Sequence, residues 1–367
     1  MNIYLDNAAT TKPLDSVIEI TNEIMKENYG NPSSLHVMGI NAEKVIRDAK
    51  KAIANKLNVS EKEVYFTSGA TESNNTAIFG TVYANKRKGN HIITTEIEHP
   101  SVLECFSKLE KEGFKVTYLS VNKEGIIDLD ELKSVLSNET IFVSIMAVNN
   151  ELGSIEPINE IAKLKSKYDF VLHTDAVQAF KKIPENIYNA ADLISISGHK
   201  IHALKGIGAL IVKQGIKVNP LICGGGQQNN FRSGTENVIG IGSLLKAVEE
   251  NNDTKKLMEL KNRLKEGIES DKIKINCYND GKSAPHILSA TFVGKRGEVI
   301  LHSLEAEGIY VSTGSACHSN KFGESHVLKA IGMPKDEIGA TIRFSFGEFN
   351  TIEEIDNTIE VIRNMRY

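Results

Sequence analysis

Cysteine is scarce in this 367-residue chain, and the four present stand far apart, at Cys105, Cys223, Cys277 and Cys317. No Cys-x-x-Cys pair occurs, which argues against zinc fingers and against a disulfide scaffold. No apolar run approaches the roughly 20 residues needed to span a bilayer. Met1-Asn2-Ile3-Tyr4-Leu5-Asp6 offers neither a basic leader nor an apolar signal core. A cytoplasmic location without a membrane partner is the resulting expectation. An excess of one charge is missing too: 43 Lys and Arg stand against 47 Asp and Glu, a formal net charge of −4. Nothing there points to nucleic acid as a direct partner. There is no internal repeat and no low-complexity tract.

What is present is a rhythm. Two helical patterns, near 13–28 and 39–57, precede strand candidates near 64–66, 92–94, 115–118, 141–146, 170–173, 193–196 and 207–212. Strands alternating with helices predict an α/β fold around a seven-stranded, largely parallel, doubly wound sheet. A helix over 240–250 ends at the polar stretch Glu249-Glu250-Asn251-Asn252-Asp253, which has the composition of a boundary. The remainder mixes helices with strands near 272–276, 287–292, 310–312 and 340–344. The expected division is a large domain over 15–250 and a smaller α+β domain from 251–367 together with 1–14.

Three places along this pattern carry chemistry. Lys200 lies in Ser197-Gly198-His199-Lys200, just after an apolar strand. An ordinary loop lysine is a solvated charge, but a partly desolvated amine is nucleophilic and can hold an aldehyde cofactor as a Schiff base. Asp175 falls at the carboxyl end of the strand over 170–173, where open α/β sheets bind ligands. A carboxylate there either caps the next turn or pairs with a protonated pyridine nitrogen. Thr67-Ser68-Gly69-Ala70-Thr71 joins a strand to a helix whose first N–H groups suit a phosphate. No Gly-Lys-Ser/Thr follows Gly69, so this is not a Walker loop. Read locally, a plain capping box through Thr71 and Asn74 serves equally well.

Taken in order, Gly69-Ala70-Thr71, Asp175 and Lys200 resemble the cofactor site of fold-type I pyridoxal phosphate enzymes. Further text narrows the resemblance to cysteine desulfurases of the NifS and IscS type within the class V aminotransferases. It is carried by Leu5-Asp6-Asn7-Ala8-Ala9-Thr10-Thr11, Gly30-Asn31-Pro32-Ser33-Ser34 and Thr95-Glu96-Ile97-Glu98-His99. Val148-Asn149-Asn150-Glu151-Leu152-Gly153, Arg232-Ser233-Gly234-Thr235-Glu236-Asn237, Gly314-Ser315-Ala316-Cys317 and Ile342-Arg343-Phe344-Ser345 complete it.

The resemblance implies pyridoxal 5'-phosphate as cofactor and L-cysteine as substrate. Its sulfur would pass as a persulfide on Cys317 to an acceptor protein, for iron–sulfur cluster assembly or tRNA thiolation, with L-alanine released. It further implies that His99 stacks on the pyridine ring and moves protons, a task suited to an imidazole. Asn150 and Gln178 would bond the ring oxygen, and Asn150 also the substrate carboxylate. Ser197, His199 and the Gly69-Ala70-Thr71 backbone would hold the phosphate. Thr235 would reach that phosphate from the neighbouring subunit of a homodimer, and Arg343 would take the substrate α-carboxylate with its planar fork. Selenocysteine lyase, or another pyridoxal phosphate lyase of the same fold type, is the alternative.

Residue by residue, simpler roles compete: Arg343 as a surface ion pair, His99 as a helix-start histidine before Pro100. Cys105 and Cys223 are expected in packing. His199, His202, His318 and His326 lack the His-Glu-x-x-His pattern, so no metal is expected. Three departures from the family stand out: His318 in place of threonine, Ala203-Leu204 in place of Gly-Pro, and an end at Tyr367 without the extension that scaffold-binding members carry. A histidine after Cys317 would lower the thiol pKa if charged.

Overall fold

The computed structural model describes residues 2–276, 281–313 and 324–365. A short strand, β1 (Ile3–Tyr4), and two helices, α1 (Asp15–Glu27) and α2 (Val37–Leu57), lead into β2 (Val64–Thr67). There follow α3 (Ala70–Asn85), β3 (His91–Thr95), α4 (Pro100–Lys111), β4 (Lys115–Leu119) and β5 (Thr140–Ser144). The sheet is completed by β6 (Val171–Asp175), β7 (Leu193–Ser197) and β8 (Gly208–Val212). These strands form one seven-stranded sheet in the order β2-β8-β7-β6-β5-β3-β4.

Every pairing in this sheet is parallel except the two made by β8, which runs against β2 and β7. The carboxyl ends of β2, β3, β5, β6 and β7 therefore share one edge. Their residues are buried on both faces, which is why they read as continuous Ile/Val/Leu runs rather than as an alternation. One face is covered by α1, α2 and the helix Val238–Glu249, with Ile24, Ala42, Ile53 and Leu244 in its core. The other carries α3 and α4, through Ala77, Ile78, Phe106 and Phe142. Among the described residues, no helix is long and apolar enough to cross a membrane.

Beyond residue 250 a second core forms. The helix Thr254–Ile268, β9 (Ile273–Ile275), β10 (Ile287–Phe292), β11 (Ile309–Tyr310), β12 (Ser312–Thr313), β13 (Thr341–Ser345) and the helix Ile352–Asn364 surround it. Ile3 and Leu5 from the start of the chain are buried in the same core. β1 pairs in parallel with β11, while β12 joins the antiparallel sheet β12-β13-β10-β9. The single strand expected near 310–312 is thus two strands in two sheets, because the chain changes partner at Val311. Sequence periodicity does not encode such a change.

The carboxyl group of Glu156 is fully buried. Glu156 accepts from the Ile127 N–H at 3.2 Å through Oε2, while its Oε1 is buried without a hydrogen-bond partner. Burial pushes its carboxyl from 4.5 up to about 8. The folded state thus favours the protonated acid. Its contribution is complete below the unfolded pKa and is lost as pH rises through about 8. Glu156→Gln cannot ionise. Thermal melting should show it more stable than the parent at about pH 9, with the gap closing by about pH 5.

Candidate functional site

Five loops at the shared carboxyl edge enclose a cavity of about 500 Å³. After β2, the chain turns at Gly69, whose φ of +151° suits glycine, and starts α3 with no side-chain cap. That start stays close to the sheet because residue 208 is also glycine. A Cβ there would lie 2.6 Å from the Ile196 carbonyl oxygen and 2.8 Å from the Gly69 Cα. Gly69, Ala70 and Thr71 line the cavity, and the capping box through Thr71 and Asn74 is absent.

After β3, His99 caps α4, with Nδ1 accepting from the Ser101 N–H at 3.1 Å and lying 2.8 Å from Ser101 Oγ. An accepting Nδ1 places the ring proton of the neutral imidazole on Nε2. Ser101 Oγ in turn accepts from Asn74 Nδ2 at 2.9 Å, and the same Nδ2 donates to Asp175 Oδ2 at 2.7 Å. Asp175 ends β6 and is buried, its other oxygen taking the Val177 N–H at 3.0 Å. It therefore caps its own turn and also faces the cavity.

After β7, Ser197, His199 and Lys200 line the same space. The Lys200 amine donates to the carbonyls of Ala8 at 2.6 Å and Ala9 at 2.7 Å. His199 Nδ1 lies 3.1 Å from Thr10 Oγ1, and the Thr11 N–H and hydroxyl both donate to the His199 carbonyl. Burial, and then the neighbouring Lys200, hold the His199 ring neutral, its pKa pushed down to about 4. A neutral ring with Nδ1 engaged leaves Nε2 for a ligand.

Arg343 reaches the cavity from β13 and is not a surface ion pair: it is 3% exposed. Nη2 donates to Asp6 Oδ1 at 2.8 Å and Nη1 to the Asn150 carbonyl at 3.0 Å, while Nε is buried without a partner. Asn150 and Gln178 also line the cavity. Thr235 is exposed and does not line it. Cys317, with His318, lies outside the described residues. Of the remaining cysteines, Cys105 is buried as expected, but Cys223 is exposed rather than packed, and Cys277 is not described. Among the described residues, no three His, Cys, Asp or Glu side chains gather in a way that could hold a metal ion.

The reading from sequence missed the partners of these groups. Asn74, Ser101, Asp6, Thr10 and Thr11 orient Asp175, His99, Arg343 and His199, yet they are separated from them by up to 337 residues. Asp6, Thr10 and Thr11 stand in one of the segments that carry the family resemblance, and Asn74 in a candidate capping box, but neither reading supplied these partners.

The residues suit pyridoxal phosphate: an amine, a buried carboxylate and an uncapped helix start face one cavity. The family model for aminotransferase class V matches residues 3–358. The cysteine desulfurase IscS of Clostridium botulinum is 43% identical over 369 residues, covering 98% of this chain and 93% of that relative. A cysteine desulfurase of a Nostoc species is 44% identical, covering 98% and 92%. A solved NifS-like protein superposes with a TM-score of 0.91 at 37% identity, covering 99% of this chain and 98% of that one. SspA in complex with cysteine gives 0.85 at 32% identity, covering 95% and 100%.

Proposed function

The chain belongs to the aminotransferase class V family, and we propose that it works through Lys200 and Cys317 as a desulfurase acting on L-cysteine. It is a pyridoxal phosphate-dependent cysteine desulfurase. When bound, the cofactor supplies an electron sink that lowers the cost of removing protons from a joined amino acid. What carries the reading of the site is the convergence of Lys200, Asp175 and the Gly69 turn on one cavity.

Lys200 would hold the cofactor and then, as a free amine, carry protons to and from the substrate carbon. Asp175, fixed by Asn74, would pair with the pyridine nitrogen; His99 would stack on the ring and serve acid/base steps through Nε2. The N–H groups of Gly69-Ala70-Thr71, with Ser197 and His199, would bind the phosphate. Arg343 and Asn150 would take the substrate α-carboxylate, the orphaned Nε of Arg343 being a buried donor in want of an acceptor. Gln178 would donate to the ring oxygen.

The Cys317 thiolate would attack the substrate sulfur. An S–S bond forms as the carbon–sulfur bond breaks, and the electron pair goes to carbon, which is protonated to give alanine. The persulfide then passes to an acceptor protein.

A homodimer completes this reading: Thr235 is exposed, as Thr235 of a neighbouring copy would have to be to reach a phosphate. Leu35, 96% exposed, with Val37 and Ile40 offers apolar surface for a second copy. We place the division of the chain near residues 249–253, between its two main cores. The test is product analysis: cofactor-loaded protein given L-cysteine should release alanine and leave the Cys317 peptide one sulfur atom heavier. Pyruvate in place of alanine would sink the desulfurase reading, and an unmodified peptide would sink the role of Cys317.

A further inference from the structure

Behind the cavity, Gln178 joins two buried groups that no step above uses, Lys182 and His286. Gln178 Nε2 donates to the Ala8 carbonyl at 2.9 Å. Its Oε1 meets the Lys182 amine at 3.0 Å and His286 Nε2 at 3.0 Å. All three side chains are buried, His286 completely. His286 Nδ1 has no hydrogen-bond partner. Burial, then Lys182 and Lys261, hold the ring well below its usual pKa, so it carries a single proton. That proton sits on the nitrogen facing Oε1, because a bare Nε2 would oppose a bare oxygen. Lys182 is likewise driven down by burial, then by Lys200 and Arg343, yet it remains a donor in either protonation state.

The amide of Gln178 has one tenable orientation. Turned over, it would aim its NH2 at the Lys182 amine and its oxygen at the Ala8 carbonyl, losing two hydrogen bonds at once, and would force His286 onto its other tautomer. An amide nitrogen has two hydrogens; one goes to Ala8, and the other is left for the cavity that Gln178 lines. We propose that Lys182 and His286 are positioning residues that lock the Gln178 amide, so that it presents only N–H to the ring oxygen of the cofactor. The inference rests on the reading of Lys200 and Gln178 given above.

The readout is the pH midpoint of the yellow absorption band of the holoenzyme. A donor on the ring oxygen competes with the proton shared between that oxygen and the nitrogen of Lys200, and so lowers the midpoint. Lys182→Met and His286→Leu together should raise it by about one pH unit, the size of one lost hydrogen bond to a charged group, and each alone by a smaller step in the same direction. His286→Gln, which keeps an N–H, should restore it to within a few tenths of a unit. In a Gln178→Leu background neither substitution should move it further, since both act through the same amide. Shifts that persist without Gln178 would overturn the positioning role in favour of a direct field. Unmoved midpoints in a normally yellow enzyme would overturn this inference alone. A parent protein that never yellows with added cofactor would overturn the Lys200 reading as well. Should Lys182→Met fail to fold, the two His286 variants decide.

Discussion

Lys200→Ala protein should be colourless after incubation with pyridoxal phosphate and should lose desulfurase turnover by about 10⁴-fold or more, the scale of removing a covalent catalytic group. Borohydride reduction of the parent should leave a pyridoxyl group on the Lys200 peptide, and reduction of the variant should leave none. The fold should survive. In the structure the amine donates to the loop carbonyls of Ala8 and Ala9, and the lysine sits on a short turn after β7 rather than in a core. A melting midpoint within a few degrees of the parent would separate lost chemistry from lost structure. Retained turnover would remove the central claim about this site.

Cys317→Ala should act differently. The yellow band should persist, because none of the groups expected to hold the cofactor is changed, while alanine formation from cysteine should fall by about 10³-fold or more. Selenocysteine offers a sharper comparison, since its carbon–selenium bond is weaker and breaks with less help from an attacking thiol. Alanine released equally fast from both substrates by the variant would rule out Cys317 as the sulfur acceptor.

Much of the fold was legible because burial on both faces writes strands as unbroken apolar runs. Phe170-Val171-Leu172 and Leu193-Ile194-Ser195-Ile196 left little room for another assignment, and the observed strands differ from those expected by only a residue or two at most ends. The site was legible in a different sense. Residues expected to touch the ligand sit just past strand ends, where topology puts ligands. The groups that orient them were hidden, because a hydrogen bond such as Asn74 to Asp175 spans 101 positions and leaves no local pattern. Asn74 looks like an ordinary cap until the helix start proves to be uncapped. A surface ion pair could compete with the substrate-binding reading of Arg343 because its neighbours Ile342 and Phe344 say nothing of a buried sheet closing over it. The split at Val311 was invisible for a similar reason: strand propensity is silent on which partner a strand will choose.

The segment Asp6–Thr11 has a consequence for how the protein is made. Asn7 bonds the carbonyl of Ser345 and the side chain of Asn350, 338 and 343 positions away, and Asp6 bonds Arg343. During synthesis these early residues leave the ribosome long before β13 exists to receive them. The turn that carries the carbonyls of Ala8 and Ala9 can meet Gln178 and Lys200 earlier, but its anchoring to β13 is completed only when nearly the whole chain has emerged. A nascent chain that has made residues 1–206 would still lack Arg343, so the cavity closes last on its substrate-carboxylate side.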